Sequence, residues 1–404
     1  MTKIETLLKT LCPNGVEYKN LKDCCHILDR ERQPISKEKR KFGPYPYYGA
    51  NGIQDYVSDY IFSGSFVLVG EDGSVLTKQG TPVVTWAEGD IWVNNHAHII
   101  SEKGGVFLRY LFHFLQTVDI REKIHGNIPK LTGEDFKNIN IPVPPLAAQG
   151  EIVRILDNFT ELTAELTAEL TARKKQFEFY RNQLLSFGDD VQSTRMTKIE
   201  SLLKTLCPNG VEYKELKELA QYERERIHIS NINKFNYISV ENLLQNKLGK
   251  ENASSVPKEG KVIAFNDGDI LIGNIRLYLR KVWLANMNGG TNGDVLAIKI
   301  NDKSIITPKF LYYILSSERF FLYAIQHSKG AKMPRGDKDA IMQYSIPVPP
   351  LAVQGEIVKI LDRFDALCND ISTGLPAEIA ARQRQYEHYR DKLLNFEKVA
   401  SCPI

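Results

Sequence analysis

The sequence predicts an α+β fold with a pseudo-twofold internal repeat, in which two bodies of mixed α/β content are separated by two long antiparallel, coiled-coil-like helices. Three observations lead to this prediction. Long blocks of sequence occur twice. One pair of blocks carries apolar side chains at helical spacing. The segments between the blocks contain short apolar runs and many turn residues, which is typical of strands joined by loops.

The repeat fixes the order of parts. Residues 1–23 and 196–218 are identical at 20 of 23 positions, and residues 141–162 and 346–367 at 17 of 22. A short third block, YRNQLLSF at 180–187, returns as YRDKLLNF at 389–396. Between these blocks, residues 24–140 (the first body) and 219–345 (the second body) hardly resemble each other. We therefore expect one scaffold that carries two different bodies.

The block at 141–187 predicts a long helix. It begins with prolines, which do not fit a helix interior, and then places apolar side chains three or four residues apart. These are Ile152, Leu156, Phe159, Leu162, Leu166, Leu170, Phe177, Tyr180, Leu184 and Phe187. Such a seam packs along another helix, and the second copy at 346–396 is the expected antiparallel partner. Gly374 and Pro376 should break that copy, whereas the first continues through two Thr-Ala-Glu-Leu units at 163–166 and 167–170.

These observations set the predicted boundaries. They are a first domain at 1–143, a helix at 144–187, a linker at 188–195, a second domain at 196–348, a helix at 349–396 and a tail at 397–404.

Composition restricts the class of protein. The 404 residues are 43% hydrophobic and 25% charged, with a net charge of +3. Residues 1–143 carry 17 basic and 17 acidic side chains, whereas residues 196–348 carry 22 and 16, an excess that favours a polyanionic partner but also occurs on solvated surfaces. The six cysteines lack metal-site spacing, which favours reduced thiols. No run approaches the roughly 18 apolar residues of a membrane span, so a cytoplasmic protein is expected.

The pattern PxPPLxxQxxIVxILDxF in both blocks, the Thr-Ala-Glu-Leu units and the closing YRxxLLxF resemble the DNA-specificity subunits of type I restriction–modification systems. The resemblance implies two target-recognition domains, each reading one half of a bipartite, asymmetric site in double-stranded DNA. It also implies that the long helices bind methyltransferase subunits, two of them expected, and that restriction (translocase) subunits join the complex. S-adenosylmethionine, ATP and Mg would then lie on partner subunits, and the number of Thr-Ala-Glu-Leu units would set the spacer between half-sites.

The residues themselves predict no catalysis and no metal site in this chain. The Pro-Pro pairs stand in Val-Pro-Pro-Leu, without the polar and aromatic neighbours that an amino-methyltransferase loop needs to hold a flipped base. No phosphate-binding Gly-x-x-x-x-Gly-Lys-Ser/Thr loop is present. His96 and His98 could share a strand face but lack a third ligand, and Glu71, Asp72 and Glu88 have no nuclease spacing.

Two sets of basic residues are predicted to contact DNA. Lys130 and Arg335 follow Pro129 and Pro334 at equivalent places in the two bodies. In the second body, Arg276, Tyr278 and Arg280 alternate, so they would share one face if the segment is extended, with Lys281 next to them. The alternatives are a solvated cation on a turn and an ordinary exposed strand face.

Polar residues beside strands complete the predicted DNA surface. Asparagine can pair with adenine, although it is also common in turns. The candidates are Asn94, Asn95, His96 and Asn292, the basic residues Lys39 and Arg40, and the loops at 63–65 and 71–74.

The helix face outside the seam is predicted to bind partner subunits, with plain helix surface as the alternative. Its candidates are Gln149, Glu151, Arg154, Lys174, Gln354, Glu356 and Lys359. Two other functions stay open at this point. One is a standalone two-headed DNA-binding regulator, and the other is a single-chain enzyme, which the missing motifs disfavour.

Overall fold

The computed structural model describes residues 6, 10–13, 15–73, 75–187, 197–330, 333–370 and 372–396. The chain forms two compact units, one combining Met1–Leu166 with Ile379–Ile404 and the other comprising Thr167–Glu378. The predicted linker at 188–195 and tail at 397–404 lie outside the described residues. Within the described ranges, every helix is too short or too polar to cross a membrane.

The first half of the chain contains ten strands and four α-helices among its described residues. The strands are β1 (Glu17–Asn20), β2 (Cys25–Ile27), β3 (Tyr45–Gly49), β4 (Gly52–Val57), β5 (Phe62–Gly70), β6 (Val84–Val93), β7 (Ala97–Glu102), β8 (Ile124–His125), β9 (Lys130–Leu131) and β10 (Asn140–Val143). The helices are α1 (Leu21–Cys24), α2 (Leu108–Leu115), α3 (Gly133–Lys137) and α4 (Leu146–Leu184).

The second half repeats this order with differences in the body. Its strands are β11 (Tyr213–Glu215), β12 (Ala220–Tyr222), β13 (Arg226–His228), β14 (Tyr237–Ile238), β15 (Lys261–Phe265), β16 (Ile270–Gly273), β17 (Val282–Leu284), β18 (Gly289–Thr291), β19 (Val295–Ile300) and β20 (Ser345–Pro347). Its helices are α5 (Thr197–Leu206), α6 (Leu216–Leu219), α7 (Pro308–Leu315), α8 (Glu318–Gln326), α9 (Lys338–Met342), α10 (Leu351–Asn369) and α11 (Leu375–Leu393).

The sheet of the first unit is built around β5. Six strands are ordered β2-β7-β5-β6-β3-β4, and all neighbours are antiparallel except β3 and β6. The run Phe66–Val69 of β5 is buried, and the strand ends at Gly70. One face of the sheet packs on α2, whose Tyr110, Leu111 and Leu115 are buried in the same apolar cluster as Val67 and Val69.

The second body divides its strands between two four-stranded sheets, ordered β12-β19-β16-β17 and β13-β15-β18-β14. Strand β16 occupies the place of β5, since it is fully buried and also ends at a glycine. The repeated blocks close both bodies in the same way: β1 pairs antiparallel with β10, and β11 with β20. Lys19 lies opposite Ile141, and Lys214 opposite Ile346.

Each unit contains a pair of antiparallel helical segments. In the first unit, Phe159 of α4 stacks on Tyr389 of α11 at 5.3 Å between ring centroids. In the second unit, Phe364 of α10 stacks on Phe177 and Tyr180 of α4 at 6.2 and 5.5 Å. Helix α4 is continuous over 39 residues, whereas the second copy is divided into α10 and α11 around Gly374. The predicted fold class, seam and helix break are therefore confirmed.

Candidate nucleic-acid interface

In the first unit, three loops carry most of the predicted DNA-contacting residues of the first body. The loops are residues 71–73 after β5, residues 94–96 before β7, and residues 126–130 around the β8–β9 hairpin. The Glu71 N–H donates to the His96 carbonyl oxygen at 2.8 Å, the Leu131 N–H donates to the Glu71 carbonyl at 2.8 Å, and the Gly73 N–H donates to the Pro129 carbonyl at 2.9 Å. We call these residues the first loop cluster.

The second body contains the same arrangement, formed by residues 274–276, 292–294 and 330–335, which we call the second loop cluster (331 and 332 lie outside the described residues). The Asn274 N–H donates to the Asp294 carbonyl at 2.8 Å, the Gly336 N–H to the Asn274 carbonyl at 3.3 Å, and the Arg276 N–H to the Pro334 carbonyl at 3.1 Å. The same three backbone bonds thus connect the same three loops in both units. Lys130 and Arg335 stand at equivalent positions, as predicted.

Each loop cluster presents exposed basic residues paired with acids of a neighbouring loop. Lys130 Nζ lies 3.2 Å from Glu71 Oε1, His96 contacts Asp72, and Arg335 Nη2 lies 2.9 Å from Asp294 Oδ1. Exposed pairs such as Arg335–Asp294 contribute about 0–1 kcal/mol, so a phosphate group can replace the acid at small cost. Glu71 is only 12% exposed and also pairs with Arg32, so it keeps a partner if Lys130 turns to a phosphate. Lys130 and Arg335 therefore remain candidates for DNA contact.

The asparagines of the loop clusters hold the turns. The His96 N–H donates to Asn94 Oδ1 at 2.8 Å, and the Asp294 N–H donates to Asn292 Oδ1 at 3.2 Å. Asn94 is only 2% exposed and its amide faces Gln54, so the prediction that Asn94 contacts a base is wrong. Asn95 beside it is exposed and stays a candidate.

The segment from Arg276 to Lys281 differs from its prediction. It is not extended: Leu277–Leu279 form a 3₁₀ turn between Arg276 and Arg280, which both have left-handed φ angles of 54° and 50°. The turn separates the side chains. Arg280 Nε donates to Glu318 at 2.7 Å and Lys281 Nζ donates to the Val240 carbonyl at 2.6 Å, whereas Arg276 and Tyr278 are exposed. Only Arg276 belongs to the second loop cluster.

The two other basic candidates of the first body, Lys39 and Arg40, differ in their surroundings. Arg40 lies 4.2 Å from the ring centre of Tyr47, donates to the Ile35 carbonyl at 3.1 Å and pairs with Asp55 at 3.3 Å. Cation–π and ion-pair contacts of this kind fix a loop, so the Arg40 side chain stabilises the first body itself. Lys39 is exposed and stays a candidate for phosphate contact.

Two of the residues predicted to bind partners are instead buried. Gln149 and Gln354 are both 0% exposed, and each amide is fully used within its own unit. Gln149 accepts from the Phe107 N–H at 2.9 Å and donates to the carbonyls of Gly105 and Pro144 at 3.2 and 2.8 Å. Gln354 does the same with the Thr307 N–H and the carbonyls of Ile305 and Pro349. Their role is to hold a loop of the body on the helix.

The other predicted partner-binding residues are accessible to different extents. Lys174 and Lys359 are exposed. Arg154 is exposed and pairs with the largely buried Glu151 at 2.8 Å, and Glu356 pairs with Lys198 at 2.8 Å. These five residues remain candidates for contact with a partner subunit.

An aspartate in each long-helix block forms an anchor that the sequence prediction missed. In the first unit, Asp157 Oδ1 accepts from Arg109 Nε at 2.7 Å and lies 2.8 Å from His113 Nε2, while His113 Nδ1 lies 3.0 Å from the Tyr386 hydroxyl. In the second unit, Asp362 accepts from Lys309 at 2.6 Å and from the Tyr313 hydroxyl at 2.7 Å. The sequence signal for this anchor is the Ile-Leu-Asp tripeptide that both long-helix blocks share.

Burial lowers the pKa of His113, and the hydrogen bond to Asp157 opposes this only in part. The unfolded chain, in which His113 has an ordinary pKa near 6.5, therefore takes up a proton before the folded chain does. Stability should fall as the pH drops below that value. His113→Tyr, which copies Tyr313, should remove this contribution, so the wild-type protein should lose stability relative to the variant between pH 7.5 and 5.5 in urea unfolding.

His113→Phe serves as a second variant in this experiment. It also lacks the titrating group but leaves Asp157 without its histidine, so it should be less stable than His113→Tyr at every pH and share its pH profile. Parallel curves for wild-type and both variants would contradict the assignment of a buried, neutral His113.

Among the described residues, Asp29, Glu71 and His98 form a group close enough to hold a metal ion. The side-chain atoms of these three residues already form hydrogen bonds and ion pairs within the protein. His98 Nδ1 lies 2.6 Å from Asp29 and Nε2 lies 3.0 Å from the Leu131 carbonyl oxygen, while Arg32 donates to Glu71 at 2.6 Å. Burial would raise the pKa of Asp29, but His98, the Ile99 N–H and Arg32 together lower it. The group is an ion-pair network that supports the first loop cluster, because Glu71 belongs to both.

Comparisons with known proteins agree with this arrangement. The family model for the type I restriction modification DNA specificity domain matches the chain twice, at residues 13–173 and 208–381. A Haemophilus influenzae protein assigned as a type I restriction enzyme specificity subunit is 34% identical over 96% of this chain and 98% of its own length. The Escherichia coli EcoR124I/EcoR124II specificity subunit is 31% identical over 72% of this chain and 71% of its own length.

Solved structures show the same fold at low sequence identity. The S subunit of a type I restriction–modification system from M. genitalium aligns over 95% of this chain and 97% of its own, with a TM-score of 0.58 and 14% identity. A chain from a study of complex assembly and conformational transition in a type I R-M system aligns over 95% and 98%, with a TM-score of 0.53 and 17% identity. The twofold family match and the full-length relative place this chain in the family of type I restriction–modification DNA specificity subunits.

Proposed function

We propose that this chain is the DNA-reading subunit of a type I restriction–modification complex and that each body reads one half of a bipartite, asymmetric site. The observation that supports this most directly is the pair of loop clusters. They have the same backbone hydrogen bonds and the same exposed basic position, yet they are carried by bodies of different sequence. Two equivalent surfaces with different side chains are suited to reading two different half-sites.

The long helices are proposed to perform two tasks. Helix α4 is continuous over 39 residues and contains both Thr-Ala-Glu-Leu units, and its length is proposed to set the unspecified spacer between the two half-sites. Glu151, Arg154, Lys174, Glu356 and Lys359 are proposed to contact two methyltransferase subunits, which restriction subunits then join. S-adenosylmethionine, ATP and Mg are assigned to those partners, and the complex is proposed to act on DNA in the cytoplasm.

Reconstitution with purified subunits tests this function. The chain alone should transfer no methyl group, whereas the chain with its methyltransferase subunit should produce N6-methyladenine at a split motif. Methyl transfer by the isolated chain would overturn the proposal. Tight, site-specific DNA binding that is unchanged by the methyltransferase subunit would instead support a standalone regulator.

A further inference from the structure

Each loop cluster contains a short hairpin that carries a proline next to an exposed basic residue, Pro129 before Lys130 and Pro334 before Arg335. In the first unit, His125 pairs with Lys130 and the chain turns through residues 126–129, starting at Gly126 with a φ of +82°. In the second unit, Lys329 and Arg335 exchange backbone hydrogen bonds of 2.8 and 2.9 Å, and Gly330 beside Lys329 has a φ of +101°. The glycine in each case adopts the left-handed region that other residues disfavour.

The residue before the tip proline is large, apolar and exposed in both units. Ile128 precedes Pro129 and is 70% exposed, and Met333 precedes Pro334 and is 52% exposed. The proline fixes its own φ and confines the residue before it to extended conformations, which limits the directions in which these side chains point. An isolated exposed apolar residue is ordinary. Its recurrence at one position of two otherwise different bodies is the observation that requires an explanation.

The residues around Ile128 and Met333 indicate what kind of partner these side chains contact. Lys130 and Arg335 stand two residues after Ile128 and Met333, and the exposed His96 and Arg276 belong to the same loop clusters. An apolar side chain bordered by Lys130 in one body, and by Arg335 and Arg276 in the other, suits a polyanion with an apolar interior, which is a DNA duplex, better than it suits an apolar protein surface. Ile and Met are also side chains that DNA-bending proteins insert between base pairs.

We propose that Ile128 and Met333 are wedges, each of which inserts at a base step of its own half-site and unstacks it. The loop cations hold the phosphates on either side, and the wedge couples recognition to distortion of the duplex. This inference rests on the proposed function, since it requires that each body reads a half-site.

The test uses the complete chain in complex with its methyltransferase subunit and duplexes that carry 2-aminopurine at successive positions of the site. Unstacking raises 2-aminopurine fluorescence, so the wild-type complex should give one enhanced position in each half-site. Ile128→Ala should abolish the enhancement in the first half-site only, and Met333→Ala in the second only. Each should weaken binding about tenfold, as expected for the loss of one good base contact.

Three variants serve as controls. Ile128→Met and Met333→Ile keep an apolar side chain of similar length, so they should retain the enhancement. Lys130→Ala should weaken binding and reduce its salt dependence, but it should leave the enhanced position in place. Because Ile128 and Met333 are exposed, the alanine variants should unfold at the wild-type temperature.

The possible results separate the two claims. A wild-type complex that binds its site without fluorescence enhancement, or alanine variants that keep the enhancement, would overturn the wedge and leave the reading function intact. Alanine variants that release the methyltransferase subunit would show that the tips contact protein and would also overturn it. Failure of the wild-type complex to bind any specific site would overturn the proposed function itself.

Discussion

Deleting residues 167–170 should shorten the unspecified spacer of the recognised site and leave both half-sites unchanged. These four residues form one complete Thr-Ala-Glu-Leu unit within the continuous helix α4, and the boundary between the compact units falls immediately before them. Removing four residues shortens a helix by about 6 Å and turns it by about 40°. One base pair of B-DNA turns by about 34–36°, so the rotation corresponds to about one base pair. The 6 Å shift along the axis does not correspond to one base pair and requires adjustment elsewhere.

The measurement is methylation mapping of DNA from cells that express the deletion variant with the methyltransferase subunit. Replacing residues 167–170 by Ala-Glu-Ala-Lys is the matched control, since it preserves length and helix propensity and should preserve the spacer. Changed bases within a half-site, or an unchanged spacer in the deletion variant, would contradict the proposal that the length of α4 sets the spacer between the half-sites.

Gln149→Leu and Gln354→Leu should each destabilise their own unit by roughly 1–3 kcal/mol, because each removes a buried amide that pairs with one backbone N–H and two backbone carbonyls. Leucine has a similar volume, so the loss comes from the hydrogen bonds and not from a cavity. Hydrogen exchange resolved by peptide should show faster exchange around residues 105–107 in Gln149→Leu. In Gln354→Leu the faster exchange should lie around residues 305–307.

Exposed positions on the same helices provide the controls. Arg154→Ala and Lys359→Ala should change the free energy of unfolding by no more than about 0.5–1 kcal/mol, as surface substitutions do. These two variants should instead weaken association with the methyltransferase subunit. If the glutamine variants were as stable as wild-type but failed to bind the partner, the original prediction of a docking role would be right and the buried role wrong.

The parts of the fold that repeat could be predicted from the sequence. Helix α4, the break at Gly374 and the equivalence of Lys130 with Arg335 all follow from local spacing and from aligned blocks. Each depends on residues that are close in the chain. Position beside a strand made Asn94 and Asn292 candidates, but it does not distinguish an amide that holds a turn from one that reads a base, because both use the same side-chain atoms.

The features that could not be predicted from the sequence depend on contacts between segments that are far apart in the chain. The loop clusters join segments up to about sixty residues apart through backbone bonds that have no sequence signature, so the contact between Glu71 and Lys130 was not foreseen. The left-handed conformation of Arg276 and Arg280 is unusual for side chains other than glycine, and alternation in sequence suggested a strand instead. Gln149 lies on the helix face outside the apolar seam, which predicts an exposed side chain, whereas its amide is buried and pairs with the backbone of Phe107, Gly105 and Pro144.

Methylation-aware sequencing of host DNA, with this gene present and deleted, tests the central claim most directly. The claim predicts N6-methyladenine at one asymmetric motif with two specified halves and an unspecified spacer, and loss of that methylation when the gene is deleted. Methylation at a continuous motif, or a pattern that is unchanged by the deletion, would contradict the account of two bodies that each read one half-site.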